Sequence, residues 1–138
     1  MTSELSLELE FQVQARPETV FSFFTDPLKY RRWNGDEAEL APRPGGIYRV
    51  LMPSRDVVRG EYVEVEPPRR VVFTWGFEGS TELPPGSTTV EVTFLPGAEP
   101  DTTLVRLRHR GLPDENSRRL HVAGWSQFLE RLTIVAAE

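Results

Sequence analysis

The stretch DENSRRLHVAGWSQFLERLTIVA, Asp114 to Ala136, sets the architecture. At the ~100° per residue of an α-helix, His121, Trp125, Phe128, Leu132 and Val135 fall on one narrow face. Gly124 and Leu129 flank it, while Arg118, Arg119, Glu130 and Arg131 point elsewhere. The pattern predicts a long amphipathic helix that lies on a sheet. Gly124 costs such a helix about 1 kcal/mol relative to alanine. Its use is then close approach to a neighbouring backbone or space left for a ligand.

Everything upstream reads as the sheet this helix needs. Leu5, Leu7, Leu9, Phe11 and Val13 alternate with Ser6, Glu8, Glu10, Gln12 and Gln14, the period of a strand with one buried face. Pro17 opens a short helix carrying Val20, Phe21 and Phe24. Asp26 caps a second, with Pro27 in its first turn and an end near Trp33-Asn34-Gly35. From Asp36 onward, runs at 47–52, 57–65, 71–77, 89–94 and 102–110 read as strands, separated by Pro/Gly turns. Val71, Phe73, Trp75 and Phe77 share a face, and Glu78 to Thr88 reads as a mobile hairpin loop near an entrance. Links this short join antiparallel neighbours. The expected fold is α+β, one domain over residues 1–138. A curved antiparallel sheet wraps the C-terminal helix, and two short helices follow the first strand. Such a wrap leaves a concave apolar space where small molecules bind.

Composition narrows the chemistry. The chain has 138 residues, 38% hydrophobic and 27% charged, enough apolar content for one core and too much for disorder. With no cysteine, disulfides, zinc–thiolate sites, iron–sulfur clusters and thiol nucleophiles are excluded. A net charge of −5 without a basic cluster argues against nucleic acid. The start, MTSELSLELEF, lacks the basic and apolar regions of a signal peptide, and no run reaches the ~20 apolar residues of a membrane span. A cytoplasmic protein is expected.

A resemblance joins these readings. The residues that carry it are Pro17-Glu18-Thr19-Val20-Phe21, Asp26-Pro27 with Trp33, and Arg43-Pro44-Gly45-Gly46-Ile47-Tyr48. With them go Gly60-Glu61-Tyr62, the run Pro67 to Trp75, Thr103-Leu104 with His109, and His121 with Gly124-Trp125, Leu129 and Leu132. In this order they resemble the START-like, or Bet v 1-like (SRPBCC), superfamily. Within it they are similar to bacterial AHSA1-like proteins, relatives of the C-terminal domain of the activator of Hsp90 ATPase. The resemblance implies a helix-grip fold with an internal cavity. It fixes no chemistry, since such members include lipid carriers, hormone receptors and polyketide cyclases. The eukaryotic co-chaperone has a separate N-terminal domain that does much of its Hsp90 binding. This chain begins with the cavity domain, which argues against Hsp90 activation and leaves an Hsp90-type role as an alternative only.

The candidate ligand-binding residues are Trp33, Tyr48, Trp75, His109, His121 and Trp125. Trp75 and Trp125 belong either to a cavity wall or to the core. Trp33 anchors the short helix over the mouth. His121 faces inward one turn before Trp125, and His109 shares the parity of Val105 and Leu107. As a polar pair they orient a ligand or move a proton; structurally, each simply satisfies a nearby backbone group. Two histidines without ligand-spaced carboxylates fall short of a metal shell, and no cofactor is expected. Arg59 and Glu61 form either an inward ion pair or a solvent-facing pair, with solvent favoured because buried charge is expensive. Tyr62 has no readable parity. Ser54, Ser80 and Ser126 lack triad partners. The expected function is binding of a small apolar or aromatic molecule. The alternatives are a cyclase- or hydratase-like enzyme using His109, His121 or Tyr48 as acid–base groups, and an Hsp90-type co-chaperone or other protein-interaction module; a homodimer is compatible with all three.

Overall fold

The computed structural model describes residues 5–138. The signal-peptide reading rests partly on residues 1–4 and to that extent lies outside the described residues. Ten elements follow in order: β1 (Leu5–Val13), α1 (Pro17–Thr25), α2 (Pro27–Tyr30), β2 (Glu37–Leu40), β3 (Ile47–Leu51), β4 (Val57–Glu66), β5 (Arg70–Trp75), β6 (Thr88–Pro96), β7 (Thr103–Leu112) and α3 (Glu115–Val135). The strands form one curved antiparallel sheet in the order β1-β7-β6-β5-β4-β3-β2, with α3 as the long C-terminal helix. The α+β helix-grip architecture expected from the sequence is the one found.

Local chemistry sets the boundaries. Asp26 does double work: its N–H closes α1 on the Ser22 carbonyl, and its carboxylate caps α2 by accepting from Leu28 N at 2.9 Å. Asp114 caps α3 by accepting from Ser117 N at 2.8 Å. The poor alternation of β4 is caused by a register shift between Tyr62 and Glu64. The extra residue, Val63, is 51% exposed while Tyr62 turns inward and is buried. Arg59 and Glu61 face solvent, and Arg59 lies 3.5 Å from Glu78.

The two faces of the sheet differ. Outward, cross-strand charges pair, as in Glu10–Arg106 at 2.6 Å on directly opposed residues of β1 and β7. Such exposed pairs contribute only about 0–1 kcal/mol each; their effect is to keep that face in water. Inward, Val90, Val92, Val105, Leu107 and Phe73 are fully buried. The helix that covers them is rotated slightly from expectation. Leu129, placed at the flank by the helical wheel, is fully buried, whereas Phe128 and His121 are only partly so.

The segment between β5 and β6 is tied down, unlike the loose loop its composition suggests. Leu83 is buried in the core, Phe77 N donates to the Leu83 carbonyl at 2.8 Å, and Glu78 pairs with Arg49 at 3.1 Å.

Candidate functional site

A half-open cavity of about 240 Å³ lies between the end of β5 and the middle of α3. Met52, Trp75 and Phe77 form the sheet side; Leu120, His121, Gly124, Trp125 and Phe128 form the helix side. The elements explain the arrangement. Trp75 is the last residue of β5 and points inward by strand parity, and Phe77 follows after Gly76. On α3, Leu120, Gly124 and Phe128 stack at i, i+4 and i+8, beside a second stripe of His121 and Trp125.

Behind this wall runs a continuous hydrogen-bond chain. Trp125 Nε1–H donates to His109 Nδ1 at 3.0 Å. An indole nitrogen can only donate, so His109 Nδ1 is bare and the ring proton sits on Nε2. Nε2–H therefore donates to Thr88 Oγ1 at 2.8 Å, and the Thr88 hydroxyl donates to the Trp75 carbonyl at 2.8 Å. The Trp75 indole N–H donates to His121 Nε2 at 3.3 Å, which places the His121 proton on Nδ1, donated to the Ser117 carbonyl at 2.8 Å. Each imidazole thus has one bare and one protonated nitrogen, both occupied. The chain bridges β5, β6 and β7 to α3.

Electrostatics agrees with this assignment. His109 is fully buried, and its pKa is pushed down to about 3, by burial first and by neighbouring His121 second. Burial also lowers the His121 pKa, partly offset by the Ser117 carbonyl. The two rings meet edge to face with centroids 5.0 Å apart. Both stay neutral at pH 7.

Of the six residues singled out from sequence, Trp75, His121 and Trp125 line the cavity, and His109 stands behind them. Trp33 and Tyr48 do not line it. Trp33 is buried against Phe24 and Tyr30, and its indole donates to the Phe23 carbonyl at 2.9 Å, so it ties the turn after α2 to α1 and covers no mouth. Tyr48 stacks on Phe73 with centroids 4.1 Å apart and shares a hydroxyl–hydroxyl bond with Tyr30. Tyr62 joins this second cluster, donating to the Phe24 carbonyl at 3.1 Å. Burial is the main cause that raises the pKa of all three tyrosines above the ordinary phenol value. These groups pack the interior under α1 and α2.

Sequence reasoning did not single out Met52, Leu120 or Thr88. Leu120 carried a signal, lying one turn before Gly124 on the same stripe. Thr88 carried none, since a threonine opening a strand is unremarkable until the histidine beside it is known. Among the described residues, no group of three or more histidines and carboxylates is placed to hold a metal ion. No helix among them is long and apolar enough to cross a membrane.

Comparison with known proteins fits the geometry. The family model for activator of Hsp90 ATPase homolog 1-like protein matches residues 14–137. An AHSA1-like protein from Rhizobium etli is 40% identical, with 99% of this chain and 84% of that one covered at a TM-score of 0.76. An AHSA1 protein from Silicibacter pomeroyi is 27% identical over 96% and 98% of the two chains, TM-score 0.79. An HSP90 activator from Plasmodium falciparum shares the fold at 24% identity, 94% coverage of each chain and a TM-score of 0.78. No curated protein matches the sequence. The chain belongs to the activator of Hsp90 ATPase homolog 1-like family, within the START-like superfamily.

Proposed function

We propose that this protein binds a small, uncharged, apolar or aromatic molecule in the cavity between β5 and α3. One observation carries the reading: the wall is built of aromatic and aliphatic side chains, and every ring nitrogen in it already has a partner. A charged or strongly polar group placed there would lose its hydration without gaining a hydrogen bond, a loss of several kcal/mol. An apolar ring loses nothing and buries its surface. At about 240 Å³ the space lies just below the ~300–1,000 Å³ of pockets for drug-sized ligands, which favours a compact guest.

The same bonding argues against acid–base chemistry by these histidines. A general base needs a free lone pair within reach of substrate. His109 offers its lone pair to Trp125 behind the wall, and His121 offers its own to Trp75. The likeness to an HSP90 activator rests on the fold.

Titration with the two-ring, environment-sensitive fluorophore 1-naphthylamine, uncharged at pH 7, tests the reading. Saturable, one-to-one enhancement with a Kd of about 100 μM or tighter is expected. A linear, non-saturating response, together with no displacement by naphthalene, would overturn it.

A further inference from the structure

The geometry points to Gly124 as the residue that sets the size limit of the cavity, by leaving a notch in α3 where a planar, uncharged ring lies against the helix. This inference rests on the binding reading above and adds the shape of the ligand to it.

The chain has ten glycines, and nine of them have a backbone reason. Five, Gly35 and Gly111 among them, take positive φ. At the other four, such as Gly60 and Gly76, an added Cβ would stand within 2.0 Å of another atom. Gly124 has neither reason. It sits inside a regular helix, and a Cβ there meets nothing within 4 Å. Helix stability disfavours glycine at such a position, and no packing partner asks for it. The open space next to it is the cavity itself.

Its neighbours give the notch a shape. Leu120 lies one turn before and Phe128 one turn after, so two large apolar side chains rise on either side of a missing one. Trp75 and Phe77 face it from the sheet side. The Trp75 ring is fixed on Trp125, with centroids 4.9 Å apart, and by its bond to His121. A flat ring entering here finds bare helix backbone on one side and fixed aromatic rings on the other. Offset or edge contacts with those rings favour an aromatic guest over a branched aliphatic one.

The test compares Gly124→Ala and Gly124→Leu with the wild-type chain, titrating each with benzene and with naphthalene by amide NMR. Gly124→Ala is expected to raise the melting temperature by about 3 °C, through helix propensity alone. It should weaken naphthalene about tenfold and benzene less than threefold, the usual scale for one methyl group in a tight pocket. Gly124→Leu should remove both ligands while the protein stays folded. Unchanged naphthalene affinity in Gly124→Ala, or a lowered melting temperature, would overturn the assignment, and Gly124→Ala decides the matter alone if the leucine variant fails to fold. A wild-type chain that binds neither ring would instead overturn the binding reading on which the assignment stands.

Discussion

The indole of Trp125 on α3 donates to His109 Nδ1 on β7 at 3.0 Å, joining helix and sheet at the back of the cavity. Because the donor cannot accept, this one contact fixes the tautomer of His109 and, through Thr88, the direction of the chain as far as the Trp75 carbonyl. It also makes His109 a structural residue. Adding a proton to Nδ1 would set two N–H groups against each other in a dry interior.

Replacing His109 by leucine leaves the Trp125 indole N–H and Thr88 buried with lost partners. His109→Leu is expected to lower unfolding stability by about 2–4 kcal/mol in urea titration. His121→Leu, on the half-open wall, should lose only about 1 kcal/mol. Equal losses at the two positions would show that the buried chain does not anchor the helix as described.

The same histidine gives stability a pH dependence whose sign follows from its depressed pKa. In the unfolded chain it titrates near 6.5, and in the folded protein only near about 3. Above pH 6.5 neither state holds the proton. Between these values the unfolded chain takes it up and the folded one does not, so stability falls as pH falls. The loss reaches roughly 2 kcal/mol at pH 5. His121, also depressed, acts in the same direction. His109→Gln should flatten the slope between pH 6.5 and 5 in parallel urea titrations; an unchanged slope would contradict the assignment.

All three tyrosines of the chain, Tyr30, Tyr48 and Tyr62, are buried with pKa values raised above the phenol range. Alkaline titration followed at the tyrosinate absorbance band should therefore show little change until the protein unfolds, and then one cooperative step. A graded titration near pH 10 would mean that at least one hydroxyl is open to solvent.

Much of the fold was legible in the sequence because its signals are local and periodic. The alternation of Leu5 to Val13, the double role of Asp26 and the stripe on Asp114 to Ala136 each specify an element regardless of its surroundings. The bulge at Val63 was not legible, since a register shift depends on the partner strand, and its only trace was the broken alternation of 57–65. The candidate site was legible in part for a related reason. Strand and helix parity placed Trp75, His109, His121 and Trp125 inside, but parity cannot separate a cavity wall from solid packing. Tyr48 has the same inward parity in β3 yet packs on Phe73 and Tyr30, and Trp33, in the turn after α2, has no parity to read. The anchoring of 78–87 rests on Leu83, a single apolar residue in a polar stretch, whose burial depends on where the loop folds back.

Entry of an uncharged ring between Trp75 and the α3 stripe can be followed against an internal control. The chain has three tryptophans; Trp75 and Trp125 line the cavity, whereas Trp33 does not and packs on Phe24 and Tyr30. Naphthalene added to ¹⁵N-labelled protein should shift the indole N–H signals of Trp75 and Trp125, together with the Gly124 amide, and leave the Trp33 indole in place. Still signals from Trp75 and Trp125 at the solubility limit of the ligand, or equal shifts in all three indoles, would contradict it.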